Sequence, residues 1–156
     1  MTSPAPEQQL RTFIARFEPG HQKLIRAARK SLQRRYPAAH EMVYDNYNFF
    51  VIGYSPTERP LDAPLSIAAG ANGVSLCFLH GKGLPDPKKL LLGSGNQTRF
   101  LRLESAATLG QRDVQALVTA AVARARAPFR TTGRGRLIIR SVSAKQRPRR
   151  RVQKSA

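Results

Sequence analysis

The spacing of apolar positions changes along the chain, and each change predicts an element. Leu10, Phe13, Ile14 and Phe17 recur at i, i+3, i+4 and i+7, which predicts a short amphipathic helix. Glu18-Pro19-Gly20 interrupts it. A second helix is predicted over 21–36, with Leu24, Ile25, Ala28, Leu32 and Tyr36 inward and Lys23, Arg26, Arg29, Lys30, Arg34 and Arg35 outward. Pro37 ends it, because the residue before a proline is pushed out of the helical region. The period then drops to 2. Segments 41–44 and 48–54, rich in β-branched and aromatic residues, predict two strands joined by a turn at Asp45-Asn46. Segments 65–69 and 74–79 flank Gly70-Ala71-Asn72-Gly73, whose Asn-Gly pair suits a tight hairpin. Asp86-Pro87 reads as an N-cap with proline at the first helical position, so 88–92 is expected to form one helical turn. A fifth strand follows over 98–103. The last helix is predicted over 111–126, with Val114, Leu117, Val118, Ala121, Val122 and Ala125 on one stripe.

Helices grouped at the two ends of an antiparallel meander define an α+β fold, a two-layer sandwich. About five strands are expected, with Leu137-Ile138-Ile139 able to add a sixth. The chain divides on this reading into a disordered lead-in over 1–6, a folded domain over 7–128 and a C-terminal extension over 129–156. Few apolar residues follow Ser141, so the extension is expected to be partly or wholly mobile.

Charge sharpens that division. The 156 residues carry 27 Lys and Arg against nine Asp and Glu, a formal net charge of +18. Twelve of the basic residues and none of the acidic ones lie over 124–156. A solubilising surface normally mixes both signs, whereas a run of one sign rich in arginine is a footprint for phosphates. Arg134, Arg136, Arg140, Lys145, Arg147, Arg149, Arg150, Arg151 and Lys154 are the expected contacts, touching polyanions, nucleic acid above all, without reading base sequence. Deleting 140–156 is then expected to abolish binding and leave the fold intact. One cysteine, no apolar run near the roughly 20 residues of a membrane span, and no secretory pattern at the start imply a cytoplasmic protein.

Several short signatures occur in an order that resembles a known family. They are Leu65-Ser66-Ile67-Ala68-Ala69, the strand over 74–79, Asp86-Pro87-Lys88-Lys89-Leu90-Leu91-Leu92-Gly93-Ser94-Gly95 and Arg99-Phe100-Leu101-Arg102-Leu103. Together they resemble the YdhG-like family of small bacterial domains, over roughly 41–127. The resemblance implies the two-layer fold and no established reaction. Some members are described as frataxin-like iron chaperones, so iron enters by that analogy alone. Labile iron calls for clustered oxygen ligands, and no two acidic residues lie within three positions of each other here.

Catalytic chemistry finds no constellation, and the chain is read as non-enzymatic. His21, His40 and His80 are far apart, and Cys77 sits at a strand position that alternates toward the core. Gly93-Ser94-Gly95 is neither a nucleophile elbow nor a dinucleotide fingerprint. Its consecutive small residues can instead turn backbone N–H groups toward an anion, which makes Gly93, Ser94, Gly95, Asn96, Arg99 and Arg102 a candidate anion-binding loop. A plain linker into the next strand accounts for the same residues. Members of the family often carry Lys where this chain has Asn96, a departure that weakens such a site. Tyr36, Tyr44, Tyr47, Tyr54, Phe49 and Phe50 gather near the first hairpin and are read as core.

Overall fold

The computed structural model describes residues 5–152. Element order is α1 (Pro6–Ala15), α2 (Pro19–Arg35), β1 (His40–Asp45), β2 (Phe50–Ser55), β3 (Leu65–Gly70), β4 (Gly73–Phe78), β5 (Arg99–Arg102), α3 (Arg112–Ala123) and β6 (Leu137–Val142), with 3-10 turns at Pro60–Asp62, Gly81–Gly83 and Ala106–Gly110. The six strands form one open sheet in the order β5-β4-β3-β2-β1-β6. β1 to β5 run as an antiparallel meander. The fold is α+β, as the periodicity predicts.

Alternation along the strands decides which face is covered. Val43, Phe50, Ile52, Tyr54, Leu65, Ile67, Val74, Leu76, Phe78 and Leu101 share one side and are buried. They form a single cluster with Leu10, Phe13, Ile14 and Phe17 of the α1 segment, Ile25, Ala28 and Leu32 of α2, and Val114, Leu117, Val118 and Ala121 of α3. All three helices therefore lie on that side, giving two layers. Phe50 anchors the α1 end, its ring 6.2 Å from Phe13 and 5.8 Å from Phe17. Fully burying one such ring contributes about 2–3 kcal/mol. Of the aromatic group, Phe50 and Tyr54 are core, whereas Tyr47 and Phe49 stay half exposed.

The local predictions shift at their ends. α1 opens at Pro6, inside the expected disordered lead-in; residues 1–4 lie outside the described ones. α2 starts at Pro19, because proline suits the first helical turn. No helical turn forms over 88–92. The Asp86 carboxylate accepts the Leu90 and Leu91 amides, both at 2.9 Å, while Lys89 takes a positive φ of 54°. The capping chemistry is present without the helix.

Across the described residues the C-terminal extension, expected to be partly or wholly mobile, lies against the sheet and supplies its sixth strand. β6 runs parallel to β1, from Glu41↔Leu137 to Asp45↔Val142, with a register shift between Val43 and Tyr44. Parallel pairing needs a long crossover, and α3 with residues 124–136 supplies it by carrying the chain from one sheet edge to the other. Gly135 makes the entry: its amide donates to the Pro37 carbonyl at 2.9 Å, and a Cβ there would overlap the Ala39 carbonyl. Beyond β6, Asp45 holds the chain down. Its carboxylate accepts Arg149 Nη2 at 3.0 Å, Gln146 Nε2 at 2.7 Å and Arg16 Nη1 at 3.2 Å. Arg149 is 3% exposed and Asp45 1%, and the guanidinium lies 6.0 Å from the Phe17 ring centroid. Removing 140–156 would therefore strip half of β6 and two of Asp45's partners, so the fold would not survive unchanged.

Asp45→Ala leaves the buried Arg149 guanidinium without its carboxylate. The expected loss is about 3 kcal/mol or more in chemical denaturation, with faster tryptic cleavage after 143. A loss below about 0.5 kcal/mol, the size of an ordinary surface substitution, would contradict this account.

Candidate nucleic-acid interface

The site grows out of α2. Seventeen residues, Pro19–Arg35, contain six Lys or Arg and no acidic residue. Proline at the first turn, a good helix-forming interior and Arg34 and Arg35 against the C-terminal partial charge stabilise it locally. Burial of Ile25, Ala28 and Leu32 fixes its rotation on the sheet. That rotation leaves Lys23, Arg26, Lys30 and Arg34 exposed at steps of three and four, one stripe along the outer face. Arg26 donates to Gln22 at 3.2 Å. Among the described residues, Lys23, Lys30 and Arg34 have no hydrogen bond or ion pair. The other two cations turn inward. Arg35 donates to Gln115 and Thr119 and lies over the Tyr36 ring.

Arg29 serves the second buried acid. Glu41 accepts Arg29 Nε at 2.9 Å and Nη2 at 3.0 Å, Gln33 Nε2 at 3.0 Å and Tyr54 Oη at 2.8 Å. Glu7 takes the outer side of the same guanidinium at 2.6 Å. That hydrogen bond holds the Glu7 carboxyl below its ordinary 4.5. Burial, reinforced by Glu41, pushes the Tyr54 phenol well above 10. Both Glu41 oxygens are occupied by donors, so Glu41 is a structural carboxylate and offers nothing to a metal or a substrate. Asp45 is equally spent. Among the described residues, no three His, Cys, Asp or Glu side chains lie together as a metal site.

Three surface recesses meet around the C-terminal half of α2. One, of about 530 Å³, lies between α2 and the start of β6, with Lys30, Arg34 and Arg134 among its lining residues. A second, of about 550 Å³, includes Arg35 and Arg130 beside the tilted pair Tyr36 and Phe129, whose ring centroids are 5.5 Å apart. The third, of about 570 Å³, shares Lys30, Arg34 and Arg35. The basic stripe thus continues as a groove toward residues 130–134.

The expected tail contacts divide. Arg149 is buried on Asp45 and is not a surface contact. Arg136 pairs with Glu58 at 2.7 Å and Arg151 with Glu18 at 3.2 Å. Arg150 donates to the Arg16 carbonyl at 3.1 Å, and Arg147 lies over the Tyr47 ring. Arg134, Arg140 and Lys145 are exposed without a partner among the described residues. Lys154 lies outside the described residues. The anion-binding loop does not converge either. Gly93, Ser94, Gly95 and Asn96 are exposed, Arg99 donates to the Gly95 and Thr98 carbonyls at 2.7 and 2.8 Å, and Arg102 reaches the Asn72 carbonyl of another hairpin. Cys77 faces a half-buried surface, and burial raises its thiol pKa.

No protein-family model, curated protein or solved structure matches the chain. Among the described residues, no helix is long and apolar enough to cross a membrane.

The α2 stripe was visible in the sequence as the outward face of a predicted helix. Its signal was the lack of any acid among six cations, which the larger cluster at the C-terminus overshadowed.

Tyr54 gives a direct check of the Glu41 network. Its folded pKa lies above the unfolded value of 10, so the stabilisation is complete below pH 10 and is lost as pH rises beyond it. In an alkaline titration followed at the tyrosinate absorbance, the Tyr54 signal should appear only with unfolding. Its appearance at pH 10 in the folded protein would refute the buried hydrogen bond.

Proposed function

We propose that this chain is a non-enzymatic YdhG-like domain of the cytoplasm that binds nucleic acid through the phosphate backbone, without sequence readout. One observation carries the reading. A well-packed helix presents four cations in a row, and five of the nine carboxylates are engaged by groups outside that row. Glu41 and Asp45 are buried, Glu7 faces Arg29, and Glu18 and Glu58 pair with Arg151 and Arg136. The α2 face keeps a net positive charge even with the exposed Glu104 sharing a recess with Lys23, and its Lys and Arg groups stand at helical spacing on a rigid support. Phosphate contact needs no more than this, whereas base readout needs side chains aimed into a groove. Arg134, Arg140 and Lys145 extend the positive field beyond the helix. The contact surface on this reading is α2 first and the C-terminal segment second, the reverse of the order the charge distribution along the sequence suggests.

Salt dependence tests it. For about six phosphates on duplex DNA, log K should fall against log salt with a slope near −5. Alanine at Lys23, Arg26, Lys30 and Arg34 together should flatten that slope by about 3–4 and weaken binding at least tenfold at 0.1 M salt. All four side chains are exposed, so the fold should be kept, which far-ultraviolet dichroism checks. Unchanged affinity in the quadruple variant would overturn the assignment.

A further inference from the structure

We infer that the recess between α2 and the start of β6 is a binding site for a phosphomonoester, a dianionic phosphate group on a sugar. The proposal deepens the nucleic-acid reading by assigning its terminal contact, and rests on that reading where the phosphate belongs to a strand end.

Charge points to a dianion. Lys30, Arg34 and Arg134 line the recess, and among the described residues none has a hydrogen bond or ion pair. The two carboxylates in its wall, Glu7 and Glu41, share Arg29 between them, at 2.6 Å and 2.9 Å. Those three groups leave one negative charge against the three free cations, so the recess as a whole carries +2. A phosphodiester brings −1, whereas a phosphomonoester brings about −1.5 to −2 at pH 7 and three terminal oxygens for guanidinium forks. The latter is the better complement.

Rigidity points the same way. Arg134 belongs to a connecting segment, yet the backbone beside it is held. Gly135 N donates to the Pro37 carbonyl at 2.9 Å, Arg136 N donates to His40 Nδ1 at 3.0 Å, and the Arg136 carbonyl accepts the Glu41 amide at 2.9 Å. Only glycine fits at 135, because a Cβ would meet the Ala39 carbonyl. Lys30 and Arg34 stand one turn apart on α2. The cations thus project from two fixed backbones, which lowers the ordering cost of binding. Tyr36, braced by Phe129 and Arg35, adds a stiff apolar wall. At about 530 Å³ the recess has room for a sugar beside the phosphate and falls within the usual span of small-ligand sites, about 300–1,000 Å³.

The test uses the full chain and fluorescence anisotropy with one single-stranded 12-mer carrying a 5′-phosphate, a 3′-phosphate or hydroxyls at both ends, and calorimetry with adenosine 5′-monophosphate against adenosine. A phosphate-ended strand should bind about fivefold or more tightly than the hydroxyl-ended one. The advantage should grow from pH 5 to pH 7, as the second phosphate proton, with a pKa of about 6, is lost. Arg134→Ala should bring the ratio near one, and because that side chain is exposed and unpartnered the variant should fold. Lys23→Ala, outside the recess, should weaken both strands and keep the ratio. A mononucleotide that binds while no end preference exists places a free phosphorylated metabolite in the recess and supports the site. Equal binding of all three strands, together with equal responses to the nucleotide and the nucleoside, would overturn the proposal. Salt-sensitive binding of the hydroxyl-ended strand would in that case leave the nucleic-acid reading standing.

Discussion

Two carboxylates on one strand, four residues apart and facing the helices, set the terms for the rest of the molecule. Glu41 and Asp45 are both buried on β1. A buried carboxylate costs several kcal/mol unless it is paired and fully hydrogen-bonded. Each recruits a guanidinium from a different part of the chain: Glu41 takes Arg29 from α2, and Asp45 takes Arg149 from the far C-terminus together with Arg16 from the end of α1. The two ends of the polypeptide are tied to the same strand by these demands. The pairing is not perfect, since Nε and Nη1 of Arg149 have no hydrogen-bond partner among the described residues, and the Phe17 ring provides the remaining attraction.

That arrangement also sorts the surface. With 27 basic residues and nine acidic ones, most cations cannot be neutralised from within. Which ones are neutralised is decided by packing. The inner side of α2 gives up Arg29, and the C-terminal segment gives up Arg149, Arg136 and Arg151. The outer side of α2, where Lys23 shares a recess with the exposed Glu104 and where Lys30 and Arg34 make no ion pair among the described residues, keeps a net positive charge. Position along a chain does not reveal which guanidiniums the fold will consume: Arg149, one basic residue among many in the C-terminal extension, is buried on Asp45.

The elements whose signals are local were legible. Leu10, Phe13, Ile14 and Phe17 at helical spacing, the alternation through 65–78 and the Asn72-Gly73 turn each specify their structure within a few residues, and the sheet order from β1 to β5 follows from hairpins. What escaped were features made by residues far apart. Leu137, Ile138 and Ile139 suggest a strand, but nothing in them names β1 as the partner or parallel as the direction. Arg149 lies in a stretch with almost no apolar residues and is indistinguishable by composition from Arg150 and Arg151. Only the geometry of Asp45 singles it out. The helical turn after Asp86 failed for the opposite reason, since a carboxylate can satisfy two amides without a helix to follow.

The parallel addition of β6 has a bearing on how the molecule is made. β1 to β5 can zip together in chain order, each strand meeting the one before it, but the outer rim of β1 finds its mate only when residues 137–142 arrive. Until then an unclosed rim is offered to any other chain. Arg149 on Asp45 is in this sense a clasp, and a molecule in which it has not fastened carries an adhesive seam, with β1's backbone open to pairing in trans.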